Sequence, residues 1–139
     1  MQKQKSYYYI ALVLGLIFHG SILFFTFEKT YDAYVHIFFA DHYAQDWFSS
    51  WNYEWYTGFT ITSYPPLVHQ LVALMSKFIG LKMAFYVWSL MAILLLIRGV
   101  YKFSLLWVDQ LSAGLAAILA VFCSSIVEAL HIFGQVPSL

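Results

Sequence analysis

The sequence predicts an all-α protein, a polytopic bundle of transmembrane helices, from its composition and the length of its apolar runs. Hydrophobic residues make up 62% of the 139 residues, and charged residues only 10%. Soluble domains typically carry about 25% charged residues, so lipid is the solvent that suits this chain. The 7 basic and 7 acidic residues leave no net charge that would favour nucleic acid. The single cysteine excludes an intramolecular disulfide.

Three apolar runs predict membrane spans at about 7–27, 83–104 and 111–133. A helix needs roughly 20 residues to cross a bilayer. The first run exceeds the apolar core of a signal peptide, about 7–15 residues, so we expect an uncleaved anchor. Lysines precede the first run, and basic residues follow the apolar stretch 83–97 of the second, which predicts a cytoplasmic amino terminus by the positive-inside rule. The basic residues concerned are Lys3, Lys5, Arg98 and Lys102.

Residues 28–66 predict an aromatic-rich extracytoplasmic loop that contains short juxtamembrane helices. After Glu28 the loop holds four acids and one base, Lys29, a balance typical of the side opposite the positive face. Its aromatic residues suit the headgroup level of a membrane. Two prolines then break the chain, and a short helix follows over 67–80. This helix is either a short span or a surface helix, and the charge rule favours the surface.

Asp32 and His36 form the first candidate site. Residues four apart on a helix share a face. An acid and an imidazole on one face can bind a divalent cation, share a proton, or act as base and orienting group. The alternative is a helix start that Asp32 caps. Two ligands fall short of the three or four that a metal site needs.

Three tryptophans, Trp47, Trp51 and Trp55, follow at intervals of four residues. On a helix this spacing gives one aromatic stripe, which serves as an interfacial anchor or as a wall on which a sugar ring stacks. Pro65 and Pro66 fix the backbone and favour a rigid re-entry of the chain into the membrane.

Three further ionisable residues lie within the apolar runs. Glu128 and His131 stand near the predicted outer end of the third run. Ionisable groups within spans usually face the bundle interior and mark function, so either a functional or a bundle-polar role is open. His19 has no evident partner in the sequence, and we expect a hydrogen-bonded neutral imidazole.

The order of these features resembles the amino-terminal region of polytopic glycosyltransferases of the GT-C fold. Among them it looks most similar to the bacterial membrane proteins called 6-pyruvoyl-tetrahydropterin-synthase-related. One span is followed by an acid, Asp32, then by the aromatic loop and by Tyr64-Pro65-Pro66-Leu67. After a later span comes Phe133-Gly134-Gln135-Val136-Pro137. The resemblance covers nearly all of the chain, which would form a single membrane domain, residues 1–139, of a longer protein.

The resemblance implies a function. Enzymes of this kind transfer a sugar from a polyprenyl-phosphate carrier on the outer face of a bacterial or archaeal cytoplasmic membrane. By position, Asp32 would be the catalytic base or a metal partner, and His36 lies one turn further on. The loop would bind substrate. The residues expected to do so are Trp51, Trp55, Tyr64, Pro65, Pro66 and His69.

One departure leaves the cofactor open. Many family members place two acids close together in this loop, whereas Tyr31 and Ala33 flank Asp32 here. A divalent cation therefore remains an expectation without a complete ligand set. The missing spans of the longer protein would be partners of this part, which we expect to be inactive alone. The alternative is a non-catalytic polytopic membrane protein, a transporter subunit or an assembly partner whose outer loop binds a protein.

Overall fold

The computed structural model describes residues 6–61 and 64–135, which are mostly helical. Lys3, Lys5 and the Val136-Pro137 end of the family-like motif lie outside the described residues. A 3-10 turn, Phe27–Lys29, follows the first helix, and a π-helical segment, Glu128–Phe133, follows the last. In chain order the helices are α1 (Ser6–Thr26), α2 (Ala33–Gln45), α3 (Pro66–Ile79), α4 (Leu81–Ser104), α5 (Gln110–Val121) and α6 (Ser124–Val127).

The length and hydropathy of the helices support a membrane protein. Two stretches, Tyr7–Lys29 and Leu81–Ser104, are long and apolar enough to cross a membrane. A third crossing exists if α5 and the segment Ser124–Phe133 count as one span, although they meet at a bend of 44°. The apolar run at 111–133 is thus not the straight helix that its hydropathy predicts.

Helices α1, α4 and α5 pack against one another as the core of the bundle. Tyr8 near the start of α1 stacks on Tyr101 near the end of α4, with ring centroids 4.4 Å apart. Near the other end of α1, the Tyr86 hydroxyl donates to the Gly20 carbonyl at 3.2 Å. These two contacts show that α1 and α4 run antiparallel.

Helix α5 packs on α1 through small residues. A Cβ placed on Gly114 would lie 2.6 Å from the Cβ of Tyr7, so the two backbones approach closely at this point. Ala11, Ala113 and Ala117 are fully buried nearby in sequence. Small residues allow such close approach between apolar helices, where dispersion forces and not water exclusion hold the pair together in lipid.

Helices α2 and α3 form a cap at the end of the bundle where α1 ends and α4 begins. They pack on each other, and α3 also packs on α4. Pro66 is the first residue of α3. The N–H that proline lacks would have no acceptor within the helix at this position. Gly80, with φ at +79°, turns the chain directly from α3 into α4. Helix α3, with 14 residues, is a short apolar helix and not one of the candidate spans.

The all-α expectation needs one correction, because a small antiparallel hairpin interrupts the loop. Strand β1 (Trp51–Asn52) pairs with β2 (Phe59–Thr60). The turn between them includes Gly58 at φ +97°, a conformation that glycine adopts without strain. Trp51 therefore lies on a strand, and the tryptophans at 47, 51 and 55 do not form a helical stripe.

The end of the described chain docks on the start of α2. The Tyr31 and Asp32 backbone N–H groups donate to the Ile132 and Phe133 carbonyls at 3.1 and 2.9 Å. Gly134 follows with φ at +70°. A side chain there would collide with Thr30 and crowd the backbone nitrogen of Ala33. The loop and the end of the third apolar run thus lie at the same end of the bundle.

Candidate functional site

Asp32 occupies the junction between the docked segment and α2. Its N–H donates to the Phe133 carbonyl, and its own carbonyl accepts from the His36 N–H at 2.9 Å. The residue is half-buried. Its side chain makes no capping hydrogen bond to the first turn of α2, so the capping role expected as the alternative is not what the structure shows. Backbone hydrogen bonds hold Asp32 in position, and its carboxylate takes no part in them.

His36 lies on the buried face of α2 and meets His69 of α3. The Nδ1 atom of His36 and the Nε2 atom of His69 are 3.0 Å apart, a hydrogen-bond distance. Tyr64 packs edge-on against His36 with ring centroids 4.9 Å apart. Phe39 and Phe85 add further rings around the pair. Two of the predicted site residues from distant parts of the sequence are thus brought together in an aromatic enclosure.

The surroundings keep both imidazoles uncharged at neutral pH. Burial and, to a smaller extent, the neighbouring His36 lower the pKa of His69 to about 4, although the Pro65 carbonyl offsets part of the effect. Burial also lowers the pKa of His36, and the nearby Asp32 carboxylate partly counters this. The two outer nitrogens, Nε2 of His36 and Nδ1 of His69, are buried without a hydrogen-bond partner among the described residues. Such groups are costly to leave unpaired.

The donor set does not complete a metal site. Within residues 6–61 and 64–135, no group of three or more His, Cys, Asp or Glu side chains is placed to hold a metal ion. Structural and catalytic sites of zinc take at least three protein ligands. The Asp32 and His36 pair predicted from spacing therefore does not fit a cation site built by this part of the chain alone.

A wide apolar groove lies between α2 and the hairpin, and its lining begins at Tyr34, two residues after Asp32. Its volume is about 690 Å³. Trp55 meets Phe38 edge to face, with centroids 6.2 Å apart, and this contact ties the hairpin to α2. Almost all of the exposed lining is carbon. The lining residues are Tyr34, Val35, Phe38, Phe39, Trp55, Tyr56, Gly58 and Phe59.

A lysine stands at one margin of this groove. Lys82, at the start of α4, lies with Nζ 5.9 Å from the ring centroid of Tyr34. The same Nζ pairs with the Glu28 carboxylate at 2.8 Å. The ammonium is about half exposed, so it remains within reach of an anionic group at the groove. Tyr34 comes two residues after Asp32, which places acid, lysine and groove in one region.

Of the remaining predicted substrate-binding residues, some line the groove and others do not. Trp55 lines the groove, whereas Trp51 packs against Gly58, where an added Cβ would collide with the indole. Pro65 and Pro66 are exposed at the start of α3 and do not line it. Trp51 therefore shapes the hairpin, and the two prolines set the direction of α3.

Other polar residues of the loop are more buried than their sequence suggests. His42 is buried, although it follows Asp41 in a polar stretch, and its Nε2 donates to the Ser49 carbonyl at 2.8 Å. Asp41 instead accepts a hydrogen bond from Gln45 at 3.3 Å. These contacts hold the end of α2 against the approach to the hairpin.

A second histidine pair, whose members no pattern in the sequence links, lies inside the bundle. His19 Nδ1 is 2.9 Å from His131 Nε2, and His19 Nε2 donates to the Val121 carbonyl at 2.9 Å. His19 is hydrogen-bonded as predicted, and its partners are 112 and 102 residues away. Glu128 is exposed while His131 is buried, so these two residues do not form a common site.

Comparison with known proteins finds no matching family model, no matching curated protein and no matching solved structure.

Proposed function

We propose that this chain forms the amino-terminal membrane part of a GT-C-like glycosyltransferase. The enzyme would transfer a sugar from a polyprenyl-phosphate donor at the extracytoplasmic face of a bacterial or archaeal cytoplasmic membrane. The observation that carries the proposal is an apolar groove whose lining begins two residues after the half-buried Asp32, with a lysine at its margin. A lipid-linked phosphate sugar needs these three features together, at a level where its chain stays in lipid.

The groove supports the proposal through its size and chemistry. It has about 690 Å³ and presents mainly aromatic and aliphatic surface. Ligand sites commonly have about 300–1,000 Å³ and are lined by apolar side chains with few polar groups. In this proposal the first isoprene units lie along Val35, Phe38 and Phe59. Burial of each CH₂ group in such a groove contributes about 0.8 kcal/mol.

Asp32 would act as the general base. In the proposed step its carboxylate accepts the proton of an acceptor hydroxyl as that oxygen attacks the anomeric carbon, and the bond from that carbon to the carrier phosphate breaks. Proton transfer by a positioned side chain typically contributes about 10²–10⁴-fold in rate. Lys82 would meet the leaving phosphate, because a cation stabilises the charge that develops there.

His36 and His69 take a supporting part in this proposal. Their pair is buried and faces α4, so neither ring reaches the groove as a base. Because both rings lie between α2 and α3, they fix the position of α2, which begins just after Asp32. No step of the proposed reaction is assigned to a metal ion.

The test is sugar transfer by the complete protein in its own membranes, with a polyprenyl-phosphate-linked sugar as donor. Asp32→Asn should lower the rate at least about 100-fold, in keeping with the loss of a general base, while the protein level and its membrane insertion stay unchanged. Asp41→Asn is the matched control, since Asp41 lies on the same helix and makes its hydrogen bond to Gln45. Equal rates for the Asp32 variant and the unaltered protein would disprove the proposal.

A second variant tests the groove separately. Val35→Trp adds a large side chain to its lining, and we expect the KM for the lipid-linked donor to rise about tenfold or more. The rate at saturating donor should fall much less, because Asp32 is unchanged. A fall in rate without any change in KM would show that the groove does not hold the donor.

One observation favours the alternative, a non-catalytic assembly partner. The hairpin region presents several aromatic side chains to its surroundings, including Phe48 at 93% and Tyr56 at 92% exposure. Exposed aromatic residues are enriched where proteins bind one another. Under this alternative, Tyr56→Ala and Phe48→Ala would release a partner protein, and Asp32→Asn would have no effect on glycans.

A further inference from the structure

A separate apolar groove runs along the outside of the bundle between α1 and α4. Its volume is about 370 Å³. Leu12, Val13 and Leu16 of α1 form one wall. Leu94 and Leu95 of α4 belong to the other. Val13 and Leu95 are 54% and 58% exposed, so the groove opens outward, to the surface that would face lipid.

The groove continues into a more polar cavity away from α2 and α3. That cavity has about 550 Å³ and shares Tyr8, Leu12 and Arg98 with the groove. It adds Lys102, one turn beyond Arg98 on the same face of α4. Both cations are exposed. The two cavities therefore form one continuous surface, apolar along most of its length and cationic at one end.

Three further observations show that the polar groups at the cationic end lack partners within the described part of the chain. No acidic residue lines either cavity. The nearest acid along the sequence, Asp109, instead accepts a hydrogen bond from the Ser112 N–H at 2.9 Å. The Oε1 atom of Gln110 is buried at the polar cavity without a hydrogen-bond partner among the described residues. A ligand with a negative charge and a hydroxyl would satisfy all three groups.

We propose that the α1–α4 groove binds an anionic phospholipid with a hydroxylated headgroup. One acyl chain lies along Leu12, Leu16 and Leu95, the phosphate meets Arg98 and Lys102, and a headgroup hydroxyl donates to Gln110 Oε1. Basic pockets between membrane helices recognise anionic headgroups in this way. The assignment is independent of the glycosyltransferase proposal, since it uses the opposite end of the bundle.

The dimensions of the groove favour a lipid over a free phosphate ion. Tyr8 and Leu16 are eight residues apart, which is about 12 Å along a helix. One leaflet of the hydrocarbon core is about 15 Å deep, so the groove accommodates most of one acyl chain. Tyr8 and Tyr101 lie beside the cations, at the headgroup level where tyrosine is enriched.

The experiment measures lipid retention by the full chain, extracted in detergent from bilayers of equal phosphatidylglycerol and phosphatidylcholine, by native mass spectrometry. We expect phosphatidylglycerol to be retained at least fivefold over phosphatidylcholine. The double variant Arg98→Gln/Lys102→Gln should lose this preference. The control is Lys29→Gln/Lys77→Gln, which removes two exposed lysines from the opposite end of the bundle and leaves the preference unchanged.

Val13→Trp provides a second arm, because it fills the apolar groove without removing a cation. Retention of phosphatidylglycerol should fall at least fivefold, with an unchanged helical circular dichroism spectrum. Equal retention of the two lipids by the unaltered protein, or an undiminished preference in the Arg98/Lys102 variant, would overturn the proposal. So would displacement of the lipid by millimolar inorganic phosphate, which would indicate an ion site only. Retention of no lipid at all would indicate a groove covered by another helix and would overturn it as well.

Discussion

His36 and His69 place two imidazoles in contact inside an aromatic enclosure. A proton added to His36 is near the Asp32 carboxylate, whereas a proton added to His69 meets burial and the neighbouring imidazole. Tyr64 faces the pair from the loop, and Phe85 faces it from α4. The packing between α2 and α3 is therefore built for neutral rings, and acid should weaken it.

The resulting pH dependence has a definite sign. The pKa of His69 is lowered from 6.5 to about 4 by folding, so the unfolded chain takes up its proton first. Stability contributed by the neutral ring is fully present above about pH 6.5 and is lost as the pH falls towards 4. Since one pKa unit corresponds to about 1.4 kcal/mol, the loss amounts to about 3 kcal/mol at most.

Thermal unfolding in detergent, followed by tryptophan fluorescence between pH 7.5 and 4, measures this effect. The midpoint should fall with pH in the unaltered protein. In His69→Gln, whose amide cannot titrate, the fall should be smaller, although the midpoint at pH 7.5 is itself lower. His42→Gln is the control, because that ring bonds a backbone carbonyl and not a second imidazole. A steeper fall in the His69 variant than in the unaltered protein would contradict the assignment.

The sequence indicated which polar residues belong to the candidate site, but it did not indicate which histidines contact each other. Spacing placed Asp32 and His36 on one helical face, and α2 is indeed a helix that begins just after Asp32. Both histidine pairs join residues far apart, with separations of 33 and 112 positions. No periodicity within one segment specifies such contacts, because they depend on how separate helices pack.

The helices themselves correspond to features of the sequence with clear physical signals. Helix α3 begins at Pro66, the second residue of the proline pair that predicted a helix start, and ends before Gly80. The hairpin was missed because tryptophans at intervals of four suit a helix as well as a strand and turn. Gly58 and the neighbouring threonines were the available signals for β structure.

The break between α5 and α6 was also missed, because hydropathy averages over it. Phe122 and Cys123 separate the two helices, and Ser124 and Ser125 begin the second one. Serine side chains compete for backbone hydrogen bonds and weaken a helix interior. The π-helical segment that follows is rare and occurs often at functional positions. A pair of serines within an apolar run was therefore the signal that could have indicated the bend.

Gly134 offers a test at the level of this segment. Gly134→Ala adds a Cβ at positive φ that collides with Thr30, so the docking of Glu128–Phe133 on the start of α2 should weaken by about 1–3 kcal/mol. Hydrogen exchange at the Tyr31 and Asp32 amides should become faster as a result.

The matched control for this change is Gly99→Ala, since a Cβ at Gly99 meets nothing within 4 Å. Alanine in the interior of α4 should leave the two amides protected and raise helix stability by up to about 1 kcal/mol. If the Gly134 variant left exchange at Tyr31 and Asp32 unchanged, these amides would not depend on the docked segment.

For the molecule as a whole, two or three apolar helices and a cap at one end agree with a membrane protein. The distribution of lysine and arginine predicts which end is cytoplasmic, and that orientation stays a prediction. The antiparallel arrangement of α1 and α4 places the hairpin and the connection after α4 at opposite ends of the bundle.

Labelling of single cysteines in intact cells tests this orientation. In a Cys123→Ser background, which removes the sole and exposed cysteine, Tyr56→Cys and Trp107→Cys place one thiol at each end. Both positions are well exposed, at 92% and 77%. A membrane-impermeant maleimide should label the cysteine at 56 in intact cells, and the cysteine at 107 only after permeabilisation. The reverse pattern would invert the topology and remove Asp32 from the outer face.

The hydrogen bonds between residues 31–32 and 132–133 connect the bend in the third apolar run to the first loop. A change in the bend angle would therefore move the start of that loop. Both donors and both acceptors are backbone groups, so no side chain takes part in these two hydrogen bonds. A force or ligand that straightened the 44° bend would separate these partners and break two hydrogen bonds, at a cost of about 1–3 kcal/mol. The orientation of the Asp32 carboxylate would then follow the angle between two helices that begin 78 and 92 residues after it in the sequence.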